Sequence, residues 1–341
     1  TISNITGNKT CTITFKPNLP TLLSQILKDN PTRDTRTTFT AFTENTTGTL
    51  FTATEKIGTN PEKEVYYYAG NTTNNWVKFG GFYWRIIRTN HDGSIRLLYS
   101  GTSPDTTSGY IGTSAFNSTY KDPMYVGYMY GTSGTLDSNR TNANNSAIKT
   151  YIDNWYNNNL SSYSKYISTE AVYCNDRELA PGSTYNTGDT TFYYASWGRL
   201  YTNKTPTYNC TNIKDAFSGN NSEAKLTYPI GLMTADEIAY AGGKLGTSLT
   251  SPYAWYYLNS AGGSITGSTF WWLMSPNRKE GSKSLVCAAS GSGDPGYLAN
   301  NFVDADSGGV RPTISLKTCT LWTSGNGAPE TPYEISTTSG C

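Results

Sequence analysis

The sequence predicts an α+β fold built from short strands and turns, with two or more helices. Aromatic residues make up 13% of the 341 residues, including 27 Tyr and 8 Trp, which is enough material for a sizeable core. The segment 65–101 alternates apolar and polar residues on both sides of an Asp-Gly turn, as paired strands do. Two further segments, 144–159 and 226–243, combine helical spacing with residues that cap helices.

The strongest strand signal is an aromatic hairpin predicted around "NHDGS", residues 90–94. Before this turn, Phe82, Trp84 and Ile86 recur at every second position, which is the period of a strand with one buried face. After the turn, "SIRLLYS" supplies the returning strand. An Asp-Gly pair between two alternating apolar runs is a strong local indicator of a hairpin, so these strands are expected to pair.

Two helices are predicted from their capping residues. In "NNSAIKTYIDNWYNNN", Ser146 or Asn145 can cap a helix whose apolar residues share one face. In "TYPIGLMTADEIAYAGG", Thr234 is followed three residues later by Glu237, which is the spacing of a capping box. Gly242 then supplies the residue that commonly ends a helix.

Changes in composition along the chain predict three regions. Residues 1–63 are expected to form an N-terminal arm, with one or two strands in 1–16, a short amphipathic helix, and a linker or loosely packed stretch in 30–63. Residues 64–318 carry the aromatic strands and the capped helices and are the predicted main domain. Residues 319–341, rich in Gly, Pro and Thr, are the predicted C-terminal tail.

Composition favours an extracellular protein and argues against nucleic acid as a partner. The chain has 26 Lys and Arg against 25 Asp and Glu and no basic cluster longer than "NRK", whereas phosphate binding needs a basic stripe. Charge-poor chains rich in Thr, Tyr and Asn are typical of secreted or surface-displayed proteins. The first residue is Thr, so a processed mature chain is expected, and no stretch approaches the roughly 20 apolar residues that span a bilayer.

The cysteines predict disulfide bonds and no metal site or cofactor. Six cysteines occur without a CxxC pair, and the chain has a single His, so a Cys/His zinc site is not expected. The pairs predicted first bracket a polar segment and the tail: Cys174 with Cys210, then Cys319 with Cys341. Cys11 would then be left with Cys287 or with a neighbouring molecule. Free buried thiols are the alternative.

Known catalytic patterns are not found in the sequence, and a non-enzymatic protein is predicted. The one histidine, His91, lies in the polar "NHDGS" turn, which does not suggest a Ser/His/Asp triad. No phosphate-binding loop or dinucleotide fingerprint occurs. Asp236 and Glu237 are explained by the start of a helix. Hydrolysis by a pair of carboxylates that the sequence does not identify stays open as an alternative.

Five segments resemble a family of bacterial surface proteins. They are "NNWVKFGGFYWRIIRTNHDGSIRLLYSG" (74–101), "CNDRELA" (174–180), "LTYPIGLMTADEIAYAGG" (226–243), "WWLMSP" (271–276) and "GGVRPTISLK" (308–317). Their order resembles a C-type-lectin-like domain, the module type that also underlies retroelement variable proteins and formylglycine-generating enzymes. The resemblance implies a C-type-lectin-like fold over about 65–318 and a pilin-like or adhesin-like protein displayed on the cell surface.

The same resemblance limits the chemistry that is expected. Calcium-dependent sugar-binding lectins use a loop that combines an acidic residue with Asn and Pro, and a Trp-Asn-Asp strand, and neither tripeptide set is present in this sequence. Asp304 and Asp306 could hold calcium through oxygen ligands, although a solvated turn is the preferred interpretation. The oxidising enzymes of this fold use active-site cysteines. Cys287 lies in the corresponding part of the chain, but no second cysteine is near it in sequence, so that activity is not predicted.

A ligand-binding face is predicted in the segment from Trp271 to Gly309. Adjacent residues of a strand face opposite sides, so one of Trp271 and Trp272 should enter the core and the other should approach the surface. Burial of both is nevertheless the preferred interpretation. Arg311 is expected to pair with a carboxylate inside the fold. The tentative ligand-binding residues are Trp272, Tyr297, Asn300, Asn301, Asp304 and Asp306.

The function predicted from these features is structural display. The chain is expected to be a repeating subunit of a bacterial surface fibre or layer, with itself as partner and with residues 1–16 donated as a strand to the next subunit. A monomeric adhesin that binds a glycan or a host protein through Trp271–Gly309 is the first alternative. A glycan-active enzyme is the second.

Overall fold

The computed structural model describes Gly7 and residues 19–341. The strands predicted within 1–16, and the strand donation built on them, therefore lie outside the described residues apart from Gly7. The described part is a mixed α+β structure, as predicted. It holds no helix that is both long enough and apolar enough to cross a membrane.

The predicted helices are confirmed, including their caps. Ser146 Oγ accepts a hydrogen bond from the N–H of Lys149 at the start of the helix predicted in 144–159. Thr234 and Glu237 form the reciprocal capping box at the start of the helix predicted in 226–243. Gly242, with a φ of 118°, ends that helix in the left-handed conformation that glycine adopts without strain. The helices are α1 (Leu22–Asp29), α2 (Leu136–Asn139), α3 (Ala147–Asn159), α4 (Ala195–Trp197) and α5 (Ala235–Ala241).

Short strands make up most of the regular structure. In chain order they are β1 (Thr32–Asp34), β2 (Thr49–Glu55), β3 (Lys63–Tyr67), β4 (Trp76–Phe79), β5 (Phe82–Thr89), β6 (Ile95–Tyr99), β7 (Met129–Tyr130), β8 (Asn144–Asn145), β9 (Tyr173–Cys174), β10 (Phe192–Tyr193), β11 (Ala216–Phe217), β12 (Gly231–Leu232), β13 (Trp271–Glu280), β14 (Lys283–Ala289), β15 (Leu298–Phe302), β16 (Pro312–Leu316), β17 (Trp322–Ser324) and β18 (Tyr333–Ile335). Single helical turns of 3₁₀ or π type connect several of them: Pro123–Val126, Ser161–Tyr166, Gly198–Asn203, Ile213–Asp215 and Ser222–Ala224.

Two sheets carry the fold. The larger sheet has the order β1-β2-β3-β5-β4-β18-β17, and β6, β16 and β12 extend it from β5. The smaller sheet has the order β10-β13-β14-β15 and is antiparallel throughout. One large cluster of buried apolar residues joins both sheets to α1, α3 and α5.

The aromatic hairpin is confirmed. β5 and β6 pair antiparallel with Ile86 opposite Leu97, and the backbone N–H of Asn90 donates to Ser94 O across the predicted turn. Gly93 in this turn has a φ of 78°, which explains the Asp-Gly pair. The side chains of Trp84 and Ile86 are buried as predicted, but Phe82 is half-buried, and Arg85 and Ile87 are buried as well, so this part of β5 is covered on both faces.

The prediction that 30–63 is a linker or a loosely packed stretch is wrong. β2 lies in this stretch and pairs antiparallel with β3 over five residue pairs, from Phe51 opposite Tyr67 to Glu55 opposite Lys63. Its threonines favour strand structure, and Phe51 packs into a small aromatic cluster beneath the sheet. Residues 319–341 are likewise not a separate tail, because β18 pairs with β4.

Both predicted disulfides are confirmed. Cys174 is bonded to Cys210, and Cys319 is bonded to Cys341. Cys287 is a buried free thiol, and burial raises its pKa to about 12, so it is not poised as a nucleophile. The partner suggested for it, Cys11, lies outside the described residues.

Replacing Cys174 and Cys210 together by alanine is expected to lower the free energy of unfolding by about 3–4 kcal/mol. The disulfide spans 36 residues, and closing a loop of that length restricts the unfolded chain by about this amount. Urea unfolding of the double variant and of the unchanged protein measures the difference. A difference below about 1 kcal/mol would contradict the expectation, which rests on chain entropy.

Candidate functional site

The tryptophan pair does not form a binding face. Trp271 is 2% exposed and Trp272 is 0% exposed, so the preferred interpretation, burial of both, is confirmed, and Trp272 is withdrawn as a ligand contact. Both faces of β13 are covered. The Trp272 ring packs edge-on against Phe116 and Phe270, and its Nε1–H donates to Ser114 O at 2.8 Å.

The other residues of the predicted face lie along β15 and the turn after it. Tyr297, Asn300, Asn301 and Asp304 are half-buried, and Asp306 is exposed. Asn300 and Asn301 stand opposite Cys287 and Val286 of β14. Among the described residues, no group of three or more His, Cys, Asp or Glu side chains is placed to hold a metal ion. Ligand binding by these five residues stays a prediction.

Arg311 has carbonyl partners where a carboxylate was predicted, and that prediction is wrong. Its guanidinium donates to Tyr99 O at 3.1 Å and to Tyr256 O at 2.9 Å, and it lies over the Trp271 ring at 4.6 Å. The backbone of this buried site supplies the acceptors directly. Burial without a counter-charge lowers the pKa of Arg311 to about 9.

Buried carboxylates and arginines instead form a network that sequence reasoning missed. Arg88 donates to Glu55 Oε1 at 2.9 Å and to Glu237 Oε1 at 2.8 Å, and Arg96 Nε lies 2.9 Å from the same Glu237 oxygen. His91 adds its backbone N–H to Glu55. Glu237 thus combines a helix-capping role with an ion pair, and only the capping role has a local sequence signal.

A second cluster of charges, the Arg199 cleft, lies beside the Cys174–Cys210 disulfide. Arg199 donates to Asp176 Oδ2 at 2.6 Å and to both oxygens of Asp236, at 3.0 and 2.8 Å. Burial raises the pKa of Asp176 and outweighs the opposing effect of Arg199. Both carboxylates are engaged by one guanidinium, so this cleft is arranged as a structural ion-pair network. Its lining residues are Cys174, Asp176, Glu178, Arg199, Thr207, Asn209, Cys210, Thr211, Asn212 and Asp215.

A third feature is an open cavity of about 270 Å³, which the hairpin strand β5 helps to line through Arg85. It is called the Arg85 pocket. The loop between β3 and β4, strands β4 and β5, and the loops at 251–253 and 258–262 form its walls. Seven of its 13 lining residues carry a hydroxyl or amide side chain, apolar residues supply much of the rest, and Arg85 is the one charged residue. The lining residues are Asn71, Thr72, Thr73, Trp76, Arg85, Ser251, Pro252, Tyr253, Leu258, Asn259, Ser260, Gly262 and Pro329.

The guanidinium of Arg85 is held by neutral acceptors and contacts two indole rings. Nε donates to Asn75 Oδ1 at 2.6 Å, Nη2 to Thr72 O at 3.1 Å and Nη1 to Leu258 O at 3.3 Å. The Trp76 ring lies 4.3 Å from the guanidinium carbon and the Trp255 ring 5.6 Å from it.

The environment of Arg85 opposes its positive charge. Burial, together with repulsion from Arg311, lowers the pKa of Arg85 well below its ordinary value. The sequence predicted a strand at Arg85 but did not predict this pocket. Its lining residues come from separate segments spread between positions 71 and 329, so no local pattern marks it.

Comparison with known proteins adds no relative. A scan of known protein families found no match to this chain. Searches of the curated proteins and of the solved structures likewise found none. The function therefore has to be argued from the geometry of the three sites above.

Proposed function

We propose that this chain is an extracellular, non-enzymatic recognition protein that binds a glycan in the Arg85 pocket. The observation that carries the proposal is the lining of this pocket, where the side chains of Asn71, Thr73, Ser251 and Ser260 lie around an opening near the ring of Tyr253. Hydroxyl and amide groups match the hydrogen-bonding hydroxyls of a sugar, and an aromatic ring matches its apolar face.

The setting supports a site that works outside the cell. Two disulfides stabilise the described part, and disulfides persist in oxidising compartments. We place the chain with the C-type-lectin-like surface proteins that five of its segments resemble. The mixed α+β structure is compatible with that fold. This proposal keeps the adhesin interpretation but moves its site from Trp271–Gly309 to the Arg85 pocket.

Binding without turnover is the better-supported form of this function. Glycoside hydrolysis generally needs two carboxyl groups that flank the scissile bond. No carboxylate is among the residues that line the Arg85 pocket. In the Arg199 cleft, Asp176 and Asp236 are both tied to Arg199. A glycan-active enzyme therefore stays the less favoured alternative.

Blocking the Arg85 pocket is expected to abolish glycan binding. Ser260 lines the pocket with an exposed side chain, so Ser260→Phe places an aromatic ring in the opening without disturbing the core. Ser282→Phe, at the exposed turn between β13 and β14, is the matched control. Both variants and the unchanged protein are applied to an array of neutral and acidic glycans. The proposal is overturned if the unchanged protein binds none of them, or if Ser260→Phe binds them equally well.

The interpretation as a fibre subunit stays a separate prediction. It depends on residues 1–16, which lie outside the described residues apart from Gly7. If this segment is donated to a neighbour, the full chain forms regular filaments in negative-stain electron microscopy and a chain lacking 1–16 does not. Filaments formed by the truncated chain would contradict strand donation. Isolated particles of the full chain would contradict the fibre.

A further inference from the structure

We propose that the glycan bound in the Arg85 pocket is acidic, and that Arg85 binds its carboxylate or sulfate group. This inference rests on the proposed function, because it names the class of ligand for the same pocket. Three steps lead from Arg85 to this ligand: the hydrogen bonds that Arg85 leaves unused, the missing counter-charge, and the place of Arg85 in the lining of an open cavity.

The first step is the number of N–H groups on Arg85. A guanidinium has five, and the described residues accept three hydrogen bonds from it, one from each nitrogen. One N–H on Nη1 and one on Nη2 therefore have no acceptor among the described residues. A pair of N–H groups on the two terminal nitrogens is the arrangement that binds two oxygens of one anion.

The second step is the contrast with the other buried arginines of the described chain. Four of them, Arg88, Arg96, Arg140 and Arg177, each lie within 2.9 Å of a carboxylate oxygen. The remaining two, Arg85 and Arg311, have no carboxylate partner among the described residues, and Arg311 further disfavours the positive charge of Arg85. A buried guanidinium without a counter-charge is costly, so an anion at this place is strongly favoured.

The third step separates Arg85 from Arg311. Arg311 is enclosed by the protein, with its guanidinium on backbone carbonyls, and it does not line the pocket. Arg85 is 2% exposed, yet it lines the pocket floor beside Trp76. Its guanidinium carbon lies 4.3 Å from the Trp76 ring and 5.6 Å from the Trp255 ring, and such apolar neighbours strengthen its attraction for an anion that enters.

A purely structural role for Arg85 makes a different prediction. Arg85 donates hydrogen bonds to the Asn75 side chain and to the backbone carbonyls of Thr72 and Leu258, and a cross-link of this kind needs no anion. If Arg85 only cross-linked these segments, neutral and acidic glycans would bind equally. The comparison between matched ligands therefore separates the two roles without altering the protein.

The experiment measures dissociation constants of the unchanged protein for matched pairs of oligosaccharides. The probes are oligogalacturonate and its methyl ester, sialyllactose and lactose, and a galactose oligosaccharide with and without sulfate. The acidic member of at least one pair is expected to bind about 10- to 100-fold more tightly, the range for a hydrogen-bonded charge pair. The first two pairs identify a carboxylate and the third a sulfate.

Two variants connect this preference to Arg85. Arg85→Gln is expected to remove the preference for the acidic probe. Lys78→Gln is the control, because Lys78 is an exposed cation on the same strand as Trp76 and outside the pocket. If Arg85→Gln does not fold, the comparison of the ester and acid probes on the unchanged protein still decides whether an anion is recognised.

Each result has a distinct meaning. Equal binding of acidic and neutral probes overturns the acidic ligand and leaves the glycan-binding function intact. No binding of any glycan overturns the function itself. A preference that persists in Arg85→Gln, or that Lys78→Gln abolishes, overturns the assignment to Arg85.

Discussion

Replacing Glu55 by glutamine is expected to lower the free energy of unfolding at neutral pH by about 3 kcal/mol. The Glu55 side chain is at the end of β2 and is 1% exposed. It accepts hydrogen bonds from Arg88 at 2.9 Å and from the backbone N–H of His91 at 2.5 Å. Glutamine keeps the shape of the side chain, but it leaves the buried charge of Arg88 with Glu237 as its one carboxylate partner.

The same substitution should also flatten the acid dependence of stability. Burial alone would raise the pKa of Glu55, but Arg88 and His91 hold it at about 2, against an ordinary value of 4.5. Because the folded-state pKa is lowered, this group stabilises the fold above pH 4.5. That contribution is lost as the pH falls from 4.5 to about 2. Glutamine has no such titration, so the variant should lose less stability over this range.

Urea unfolding across this pH range tests both statements. Glu62→Gln is the matched control, because Glu62 is exposed before β3 and is in none of the ion pairs of the described chain. It removes the same charge and should change the unfolding free energy at neutral pH by less than about 0.5 kcal/mol. Equal effects of the two substitutions, or an unchanged acid dependence in Glu55→Gln, would rule out the proposed role of the buried pair.

The features that could be predicted from the sequence are local ones. The capping box of Thr234 and Glu237 spans four residues, and the Asp-Gly turn is contained in a pentapeptide. Such signals do not depend on the rest of the fold. The Cys174–Cys210 and Cys319–Cys341 pairs could also be predicted, because each encloses one compositionally distinct segment.

The features that could not be predicted depend on residues far apart in the chain. Arg88 meets Glu55 across 33 residues and Glu237 across 149 residues, and no sequence period links these positions. Arg85 raises the same difficulty, because its acceptors and pocket walls come from separate loops. The threonine-rich stretch 30–63 has few apolar residues, so a strand that packs on one small aromatic cluster resembles a linker.

The assignment of Trp272 to an exposed binding face failed for a different reason. Strand alternation states correctly that Trp271 and Trp272 face opposite sides, but it does not state that one side is open to water. Here Trp271 packs under Arg311, and Trp272 packs against Phe116 and Phe270. A strand buried on both faces reads as a continuous apolar run, and "FWWLM" is such a run.

Gly308→Ala is expected to lower the free energy of unfolding by about 3 kcal/mol or more, because the Trp272 ring has no room to move. A Cβ atom at Gly308 would lie 2.6 Å from Cε2 of that ring and closer still to Nε1. The ring is fixed by its hydrogen bond to Ser114 O, while the N–H of Ser114 donates to Gly308 O at 3.0 Å. Relieving the clash therefore means breaking one of these buried bonds.

Gly293→Ala is the control for this prediction, because a Cβ atom there meets nothing within 4 Å and Gly293 is exposed. Urea unfolding of both variants should show a large loss for Gly308→Ala and a change within about 0.5 kcal/mol for Gly293→Ala. The summed emission of the eight tryptophans should also shift to longer wavelength in Gly308→Ala if the Trp272 ring is forced toward water. A Gly308→Ala protein as stable as the control would mean that the ring is loosely packed. The withdrawn assignment of Trp272 as a ligand contact would then have to be reconsidered.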